Sequence, residues 1–103
     1  MEKIKVIAKL PDTMPYVTWV SNSLQDLQKF VGGNIEVVPL TANTVVICNE
    51  EGRLKGLEHN CEICGIDFVG DIIICGVDGE EFTDILVDIG IFKLVFPELW
   101  EVK

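Results

Sequence analysis

The sequence predicts an α+β fold, a mainly antiparallel sheet of about five strands with one or two short helices packed on one face. Short apolar segments of strand length are separated by turn residues, one apolar stripe at helical spacing follows a cluster of cap residues, and Asp78-Gly79 is typical of a tight hairpin. The chain has 103 residues and 49% apolar composition. We therefore expect one domain over residues 1–103, with a core that needs neither a metal nor a disulfide.

The first part of the chain predicts two strands and a helix. Lysines alternate with Ile4, Val6 and Ala8 in the first strand, and residues 16–20 form a second strand antiparallel to it. Ser23, or alternatively Asn22, is the expected N-cap of a helix that ends at two glycines. The apolar stripe of this helix comprises Leu24, Leu27, Phe30 and Val31.

The rest of the chain predicts three more strands, a short edge strand and a weaker helix. Residues 35–40 and 44–48 form a hairpin, and residues 72–77 are apolar enough for a strand buried on both faces. Residues 80–84 return as a short edge strand, and Asp88 caps a helix that ends near Pro97. Residues 49–52 are a turn, and the mostly polar segment up to residue 67 is the longest irregular one expected.

Charge and hydropathy limit the classes of partner. The net charge is −9, and 13 of the 17 acidic residues follow Asn49, so the surface repels nucleic-acid phosphates and suits a basic protein partner or plain solubility. The longest uncharged apolar run, residues 72–77, is far shorter than the roughly 20 residues that cross a bilayer. The N-terminus lacks the features of a signal peptide, so we expect a cytoplasmic protein that binds no nucleic acid and no membrane.

The segment GLEHNCEICG contains the only histidine and a Cys-x-x-Cys pair. His59, Cys61 and Cys64 offer three zinc ligands, and Cys48 or Cys75 would complete a tetrahedral set. Those two cysteines lie in apolar strands, where a thiolate costs desolvation, and a second ligand pair is missing. The sequence therefore favours a surface loop with one buried cysteine and no cofactor, over a zinc site or a redox motif.

Catalytic constellations are weak in this sequence. His59 and Cys61 are two residues apart in a predicted loop, where side chains at that spacing rarely face each other. They are therefore poor candidates for a nucleophile and its base. Gly32 and Gly33 follow a helix, whereas phosphate-binding glycines precede one. Adjacent carboxylates such as Glu50 and Glu51 are typical of a solvated turn. The sequence thus favours a non-enzymatic protein, with a hydrolase ranked last.

Three blocks carry a family resemblance: VGGNIEVVPL at residues 31–40, ICNEEGRLKGLEHN at 47–60 and GDIIICGVDGEEFTD at 70–84. They resemble the domain-of-unknown-function family 3846, which implies a short protein of phage, plasmid or bacterial origin. The residues that match the family pattern are Gly32, Gly33, Glu36, Asn49, Glu50, Gly52, Leu57, Asn60, Gly70 and Asp71. Cys61 and Cys64 lie outside that pattern.

Four of these matching residues are more polar than turns and strands require. If the sheet brings them together, they line a pocket for a small polar ligand; the predicted binding residues are Glu36, Asn49, Glu50 and Asn60. The first functional hypothesis is an accessory protein of a mobile element that binds a protein partner, and the alternative binds a small molecule such as a nucleotide signal.

Large aromatic side chains raise the question of self-association. Trp19, Trp100, Phe92 and Phe96 are many for a small domain. Some of them are candidates for a homodimer interface, although packing in the core is the simpler use.

Overall fold

The computed structural model describes residues 2–100 and contains a six-stranded sheet, a separate two-stranded hairpin and two α-helices. In chain order the elements are β1 (Lys3–Lys9), β2 (Tyr16–Ser21), α1 (Leu24–Val31), β3 (Ile35–Thr41), β4 (Thr44–Asn49), β5 (His59–Ile63), β6 (Ile66–Val69), β7 (Ile72–Asp78), β8 (Glu81–Thr83), α2 (Ile89–Val95) and a 3₁₀ helix (Pro97–Trp100). The predicted α+β class with a mainly antiparallel sheet is confirmed.

Strand β7 is the centre of the sheet, whose order is β2-β1-β7-β4-β3. One edge of β7 pairs with β4, and the other pairs first with β1 and then with β8, all antiparallel. Ile72, Ile73, Ile74 and Cys75 are all buried, as the continuous apolar run predicted. Because neighbours cover both edges and both faces, β7 has no need of polar side chains until Asp78.

Helix α1 covers one face of the sheet. The hydroxyl of Ser23 accepts a hydrogen bond from the Asp26 N–H at 3.2 Å, which confirms Ser23 as the N-cap. Gly32 ends the helix with φ +81°, and its N–H donates to the Gln28 carbonyl. We call this side of the sheet the α1 face; its buried residues are Ile4, Val6, Leu27, Val31, Val45, Ile47, Ile73 and Cys75.

The opposite side, which we call the hairpin face, is covered by β5–β6, α2 and the 3₁₀ helix. Its buried residues are Ile7, Val46, Cys48, Cys61, Ile63, Phe68, Ile72, Ile74, Ile85, Phe92 and Leu99. The two helices therefore lie on opposite faces, and the main sheet has six strands where about five were predicted. Since β1, β4 and β7 are apolar on both sides, each side needs its own cover.

The segment predicted to be irregular up to residue 67 is the place where the structure differs most from expectation. Strands β5 and β6 form a hairpin whose two turn residues, Cys64 and Gly65, have φ of +52° and +78°. Positive φ at both positions defines a type I′ turn, which normally carries Asn-Gly. Cysteine rarely adopts this left-handed conformation, so Cys64-Gly65 is not recognisable as a hairpin turn in the sequence. The prediction of an irregular segment up to residue 67 is therefore wrong for residues 59–67, which form this hairpin.

The C-terminal prediction is confirmed in its main features. Asp88 caps α2 by accepting a hydrogen bond from the Gly90 N–H at 2.8 Å, and the helix stops two residues before Pro97. The 3₁₀ helix then buries Leu99. Within the part of the chain that the structure describes, neither α-helix is long and apolar enough to cross a membrane.

Candidate functional site

Asn49 fastens the end of β4 to the end of α1. Its Nδ2 donates to the Val31 carbonyl at 3.1 Å, and its Oδ1 accepts from the Glu51 N–H at 2.8 Å. The first bond satisfies a carbonyl that the end of the helix leaves without a partner, and the second shapes the predicted turn. A Cβ at Gly33 would lie only 2.9 Å from Asn49 Nδ2. The second of the paired glycines is therefore needed because the Asn49 side chain lies too close to the backbone for any larger residue.

Asn60 fastens the β5–β6 hairpin to the main sheet. Its Nδ2 donates to the carbonyls of Lys9, at 2.9 Å, and Gly70, at 2.7 Å. Its Oδ1 accepts from Lys9 Nζ at 2.8 Å. All of this amide's donors are thereby used, and the side chain is buried.

Three of the four predicted binding residues meet at one cavity of about 320 Å³, which we call the Arg53 cavity. Glu36, Asn49 and Glu50 line it together with Arg53, whose Nη2 donates to the Asp67 carbonyl at 2.9 Å. The cavity lies between the β3–β4 pair and β6. It places two carboxylates, an amide and a guanidinium around a space of small-molecule size.

Asn60 lies instead at a second cavity of about 630 Å³, which we call the Lys9 cavity. Lys9 is 4% exposed although it belongs to the same alternating lysine pattern as Lys3 and Lys5, which are exposed. Sequence reasoning missed Lys9 because its burial depends on the unrecognised β5–β6 hairpin. No signal in the sequence marks it: Lys9 is the last residue of β1, and its carbonyl accepts from Asn60 Nδ2 only because the hairpin packs there.

The cysteines and the histidine do not form a nucleophilic pair. His59 Nε2 lies 2.6 Å from Asp67 Oδ1 across the hairpin, and both side chains are about half exposed or more. Burial raises the pKa of the Cys61 thiol to about 11, which keeps it protonated at neutral pH. Cys64 occupies the exposed turn.

The other thiols are also poor nucleophiles. Burial raises the pKa of Cys48 to about 11 and that of Cys75 to about 12. All four cysteines are free. Among residues 2–100, no group of three or more His, Cys, Asp and Glu side chains is arranged to hold a metal ion.

A third, apolar cavity of about 260 Å³ lies between α2 and the turn that joins β3 to β4. We call it the α2 cleft; Leu40, Val87, Ile91, Phe92, Val95 and Phe96 contribute its apolar walls. Leu86, Ile91, Leu94 and Val95 are exposed by 55–81%. Four large apolar side chains exposed within ten residues form a patch of the kind that marks an interaction surface.

The aromatic residues divide between core and surface. Phe92 is buried and makes a tilted ring contact with Phe96, at a centroid distance of 4.9 Å, and an edge-on contact with Trp100, at 6.1 Å. These three rings pack in or against the hairpin-face core. Trp19 on β2 is different, because 56% of it is exposed on an edge strand.

These features define a small α+β domain with an apolar cleft and two polar cavities on one face of its sheet. The chain belongs to the family described as Domain of unknown function (DUF3846), whose model matches residues 4–93. The expected family is therefore confirmed. No curated protein matches the chain, and no solved structure matches it.

Proposed function

We propose that this protein acts in the cytoplasm as a non-enzymatic accessory protein of a bacterium or mobile element, and that it binds another protein through the α2 cleft. The observation that carries the proposal is the exposure of Leu86, Ile91, Leu94 and Val95 beside the cleft. Exposed apolar groups gain free energy when a partner covers them, and a cleft gives a partner side chain a defined place to insert.

The charge around the cleft supports a basic partner. Asp88, the N-cap of α2, is exposed at the start of this surface, and the whole chain carries a net charge of −9. Lys93 is the exposed cation of α2. A partner segment that combines apolar anchors with Lys or Arg therefore fits better than an acidic one, and a polyanion such as nucleic acid is disfavoured.

The test compares two exposed leucines. Leu94 is 81% exposed on α2, and Leu54, outside the α2 cleft, is 87% exposed, so Leu94→Ser and Leu54→Ser remove similar apolar groups. A host protein captured by the wild type would be purified and its affinity for each variant measured by calorimetry at low and high salt. We expect Leu94→Ser to weaken binding about tenfold, Leu54→Ser to leave it unchanged, and salt to weaken it. Equal affinities for both variants, or no saturable partner, would contradict the proposal.

Self-association is a second protein contact that we propose, and strand β2 is its surface. β2 is an edge strand without a charged residue or a proline, and it exposes Tyr16, Val17 and Trp19. The opposite edge, β3, carries Glu36, Pro39 and a register shift, which are common protections against edge pairing. Antiparallel pairing of β2 with its copy extends the sheet about a two-fold axis.

Matched valines test this dimer. Val17 on β2 is 38% exposed and Val37 on β3 is 41% exposed, so Val17→Lys and Val37→Lys place a charge on opposite edges. Light scattering over a concentration series should give the wild type and Val37→Lys twice the 11.5 kDa chain mass at high concentration. Val17→Lys should remain at the mass of one chain. A wild type that stays monomeric, or equal behaviour of the two variants, would refute the dimer.

The small-molecule alternative is favoured by one observation, the meeting of Glu36, Asn49 and Glu50 with Arg53 at one cavity. Arg53 would receive the phosphate of a nucleotide signal, and the carboxylates and amide would receive its base or sugar. A nucleotide at about a hundred times its dissociation constant should stabilise the fold by about 2.7 kcal/mol, and Arg53→Gln should abolish that shift. The absence of any thermal shift across a nucleotide panel would eliminate this alternative.

A further inference from the structure

Lys9 is the most unusual charged residue in the described part of the chain. Its ammonium is buried, and its Nζ donates to two neutral acceptors, Asn60 Oδ1 at 2.8 Å and the Leu10 carbonyl at 3.3 Å. Among residues 2–100 the one ion pair joins His59 and Asp67, so no carboxylate lies within ion-pair distance of Lys9 Nζ. Lysine is rarely buried without a negative partner, because removing its charge from water costs free energy that neutral dipoles offset only in part.

The surroundings of Lys9 show where a negative partner would come from. An ammonium has three donors, and two of them already have acceptors. Lys9 and Asn60 both line the Lys9 cavity, whose volume of about 630 Å³ is within the range of small-molecule sites. Asn60 holds the ammonium in place, since its own amide is fixed by two backbone carbonyls. The remaining donor is thus available to an oxyanion that enters the cavity.

The same cavity also carries negative charge from three separate segments. Asp12 comes from the turn after β1, Glu62 from β5 and Glu98 from the 3₁₀ helix. These carboxylates oppose an anion that has no positive group, and they favour a ligand that carries amino or guanidinium groups.

We propose that the Lys9 cavity binds a small basic amino acid or a closely similar zwitterion. The carboxylate of the ligand accepts from Lys9 Nζ, and its cationic groups meet the carboxylates of Asp12, Glu62 and Glu98. This arrangement compensates both kinds of charge in the cavity at once. The site is separate from the α2 cleft, so it does not depend on the proposed protein binding.

The experiment uses arginine and agmatine, which is arginine without its carboxylate, with titration calorimetry on the whole chain. Arginine should bind saturably at one site, and agmatine should bind about tenfold more weakly because it cannot use Lys9. Lys9→Met should remove the preference for arginine and should not weaken agmatine, because it takes a positive charge out of the cavity. Glu62→Gln, on the cavity rim, should weaken both ligands.

Lys3→Met is the matched control, because Lys3 is an exposed lysine of the same strand. It should bind arginine and agmatine as the wild type does. The wild-type contrast between the two ligands needs no substitution and remains informative if Lys9→Met does not fold. Equal binding of arginine and agmatine, or no saturable binding of arginine, would overturn the proposal. An equal loss of arginine affinity in Lys3→Met and Lys9→Met would also overturn it.

Discussion

The two faces of the central sheet are covered in different ways. On the α1 face a single helix packs Leu27 and Val31 against alternate residues of the strands below. The hairpin face is covered by three short pieces, which are β5–β6, α2 and the 3₁₀ helix. All three cavities described above involve residues of these pieces or the segments between them.

Cavities in this molecule lie where separate covering pieces meet. One amphipathic helix closes a sheet with a continuous core, whereas separate pieces leave gaps at their junctions. Polar groups in those gaps, such as Lys9 and Arg53, lie where neighbouring pieces meet and not on a smooth surface. The α1 face therefore carries a continuous core, and the three cavities lie on the hairpin face.

The strongest way to challenge this contrast is to weaken the contact of α1 with the sheet. Leu27 is 2% exposed, and Leu27→Ala should lower the free energy of unfolding by about 3–5 kcal/mol through lost burial and a new cavity. Leu24→Ala, in the same helix but exposed, should change it by less than about 0.5 kcal/mol. Chemical denaturation measures both. Similar values for the two leucines would mean that α1 does not hold this face.

A smaller loss is expected when the hairpin is released from β1. Asn60→Ala removes the amide bound to the Lys9 and Gly70 carbonyls and leaves the Lys9 ammonium with one acceptor. The free energy of unfolding should fall by about 2–3 kcal/mol. Asn43→Ala, in the exposed β3–β4 turn, is the control and should be nearly neutral. Hydrogen exchange should show faster opening of β5 and β6 in the Asn60 variant alone; unchanged exchange would contradict this role.

The last effect appears only in alkali and concerns the buried thiols, which occur on both faces. Burial raises the pKa of Cys75, on the α1 face, from 9.0 to about 12. Above pH 9 the unfolded chain loses this proton and the folded chain keeps it, so the stability of the fold decreases as pH rises. One such thiol accounts for about 1.4 kcal/mol per pH unit.

Urea unfolding at pH 8, 9, 10 and 11 measures this alkaline decrease. Cys75→Ala should be less stable at pH 8 because it leaves a cavity, yet lose less stability between pH 9 and pH 11 than the wild type. Cys61, whose pKa burial raises to about 11, should show the same effect over a narrower pH range. A parallel decrease in Cys75→Ala and wild type would show that this thiol is not responsible.

Most of the fold follows from local signals in the sequence. Ser23 and Gly32 are recognisable because a helix needs a capping side chain at its start and a left-handed residue at its end. The apolar run of β7 is recognisable because a strand buried on both faces needs apolar side chains on both. The β5–β6 hairpin is not recognisable, because its turn places Cys64 where asparagine is usual. Its stability comes from burying Cys61, Ile63 and Phe68 against the sheet, and a local pattern cannot show that.

The candidate sites depend on that hairpin and were predicted only in part. The sequence predicts a shared pocket only if the sheet brings the four polar residues together; Glu36, Asn49 and Glu50 line the Arg53 cavity. Asn60 was expected beside them but lies at the Lys9 cavity, since it anchors β5 to β1. The burial of Lys9 was not predictable, because it requires contact between residues 51 positions apart.

The central place of β7 affects how the chain reaches its native state during synthesis. The β1–β2 and β3–β4 hairpins have no strand pairing with each other and are joined only through β7, which comes much later in the sequence. Until the ribosome has released residues up to 78, the nascent chain holds two hairpins with apolar inner edges unpaired. The main sheet therefore cannot be completed until β7 has left the ribosome, and chaperones that shield unpaired strand edges would act on this protein before that point.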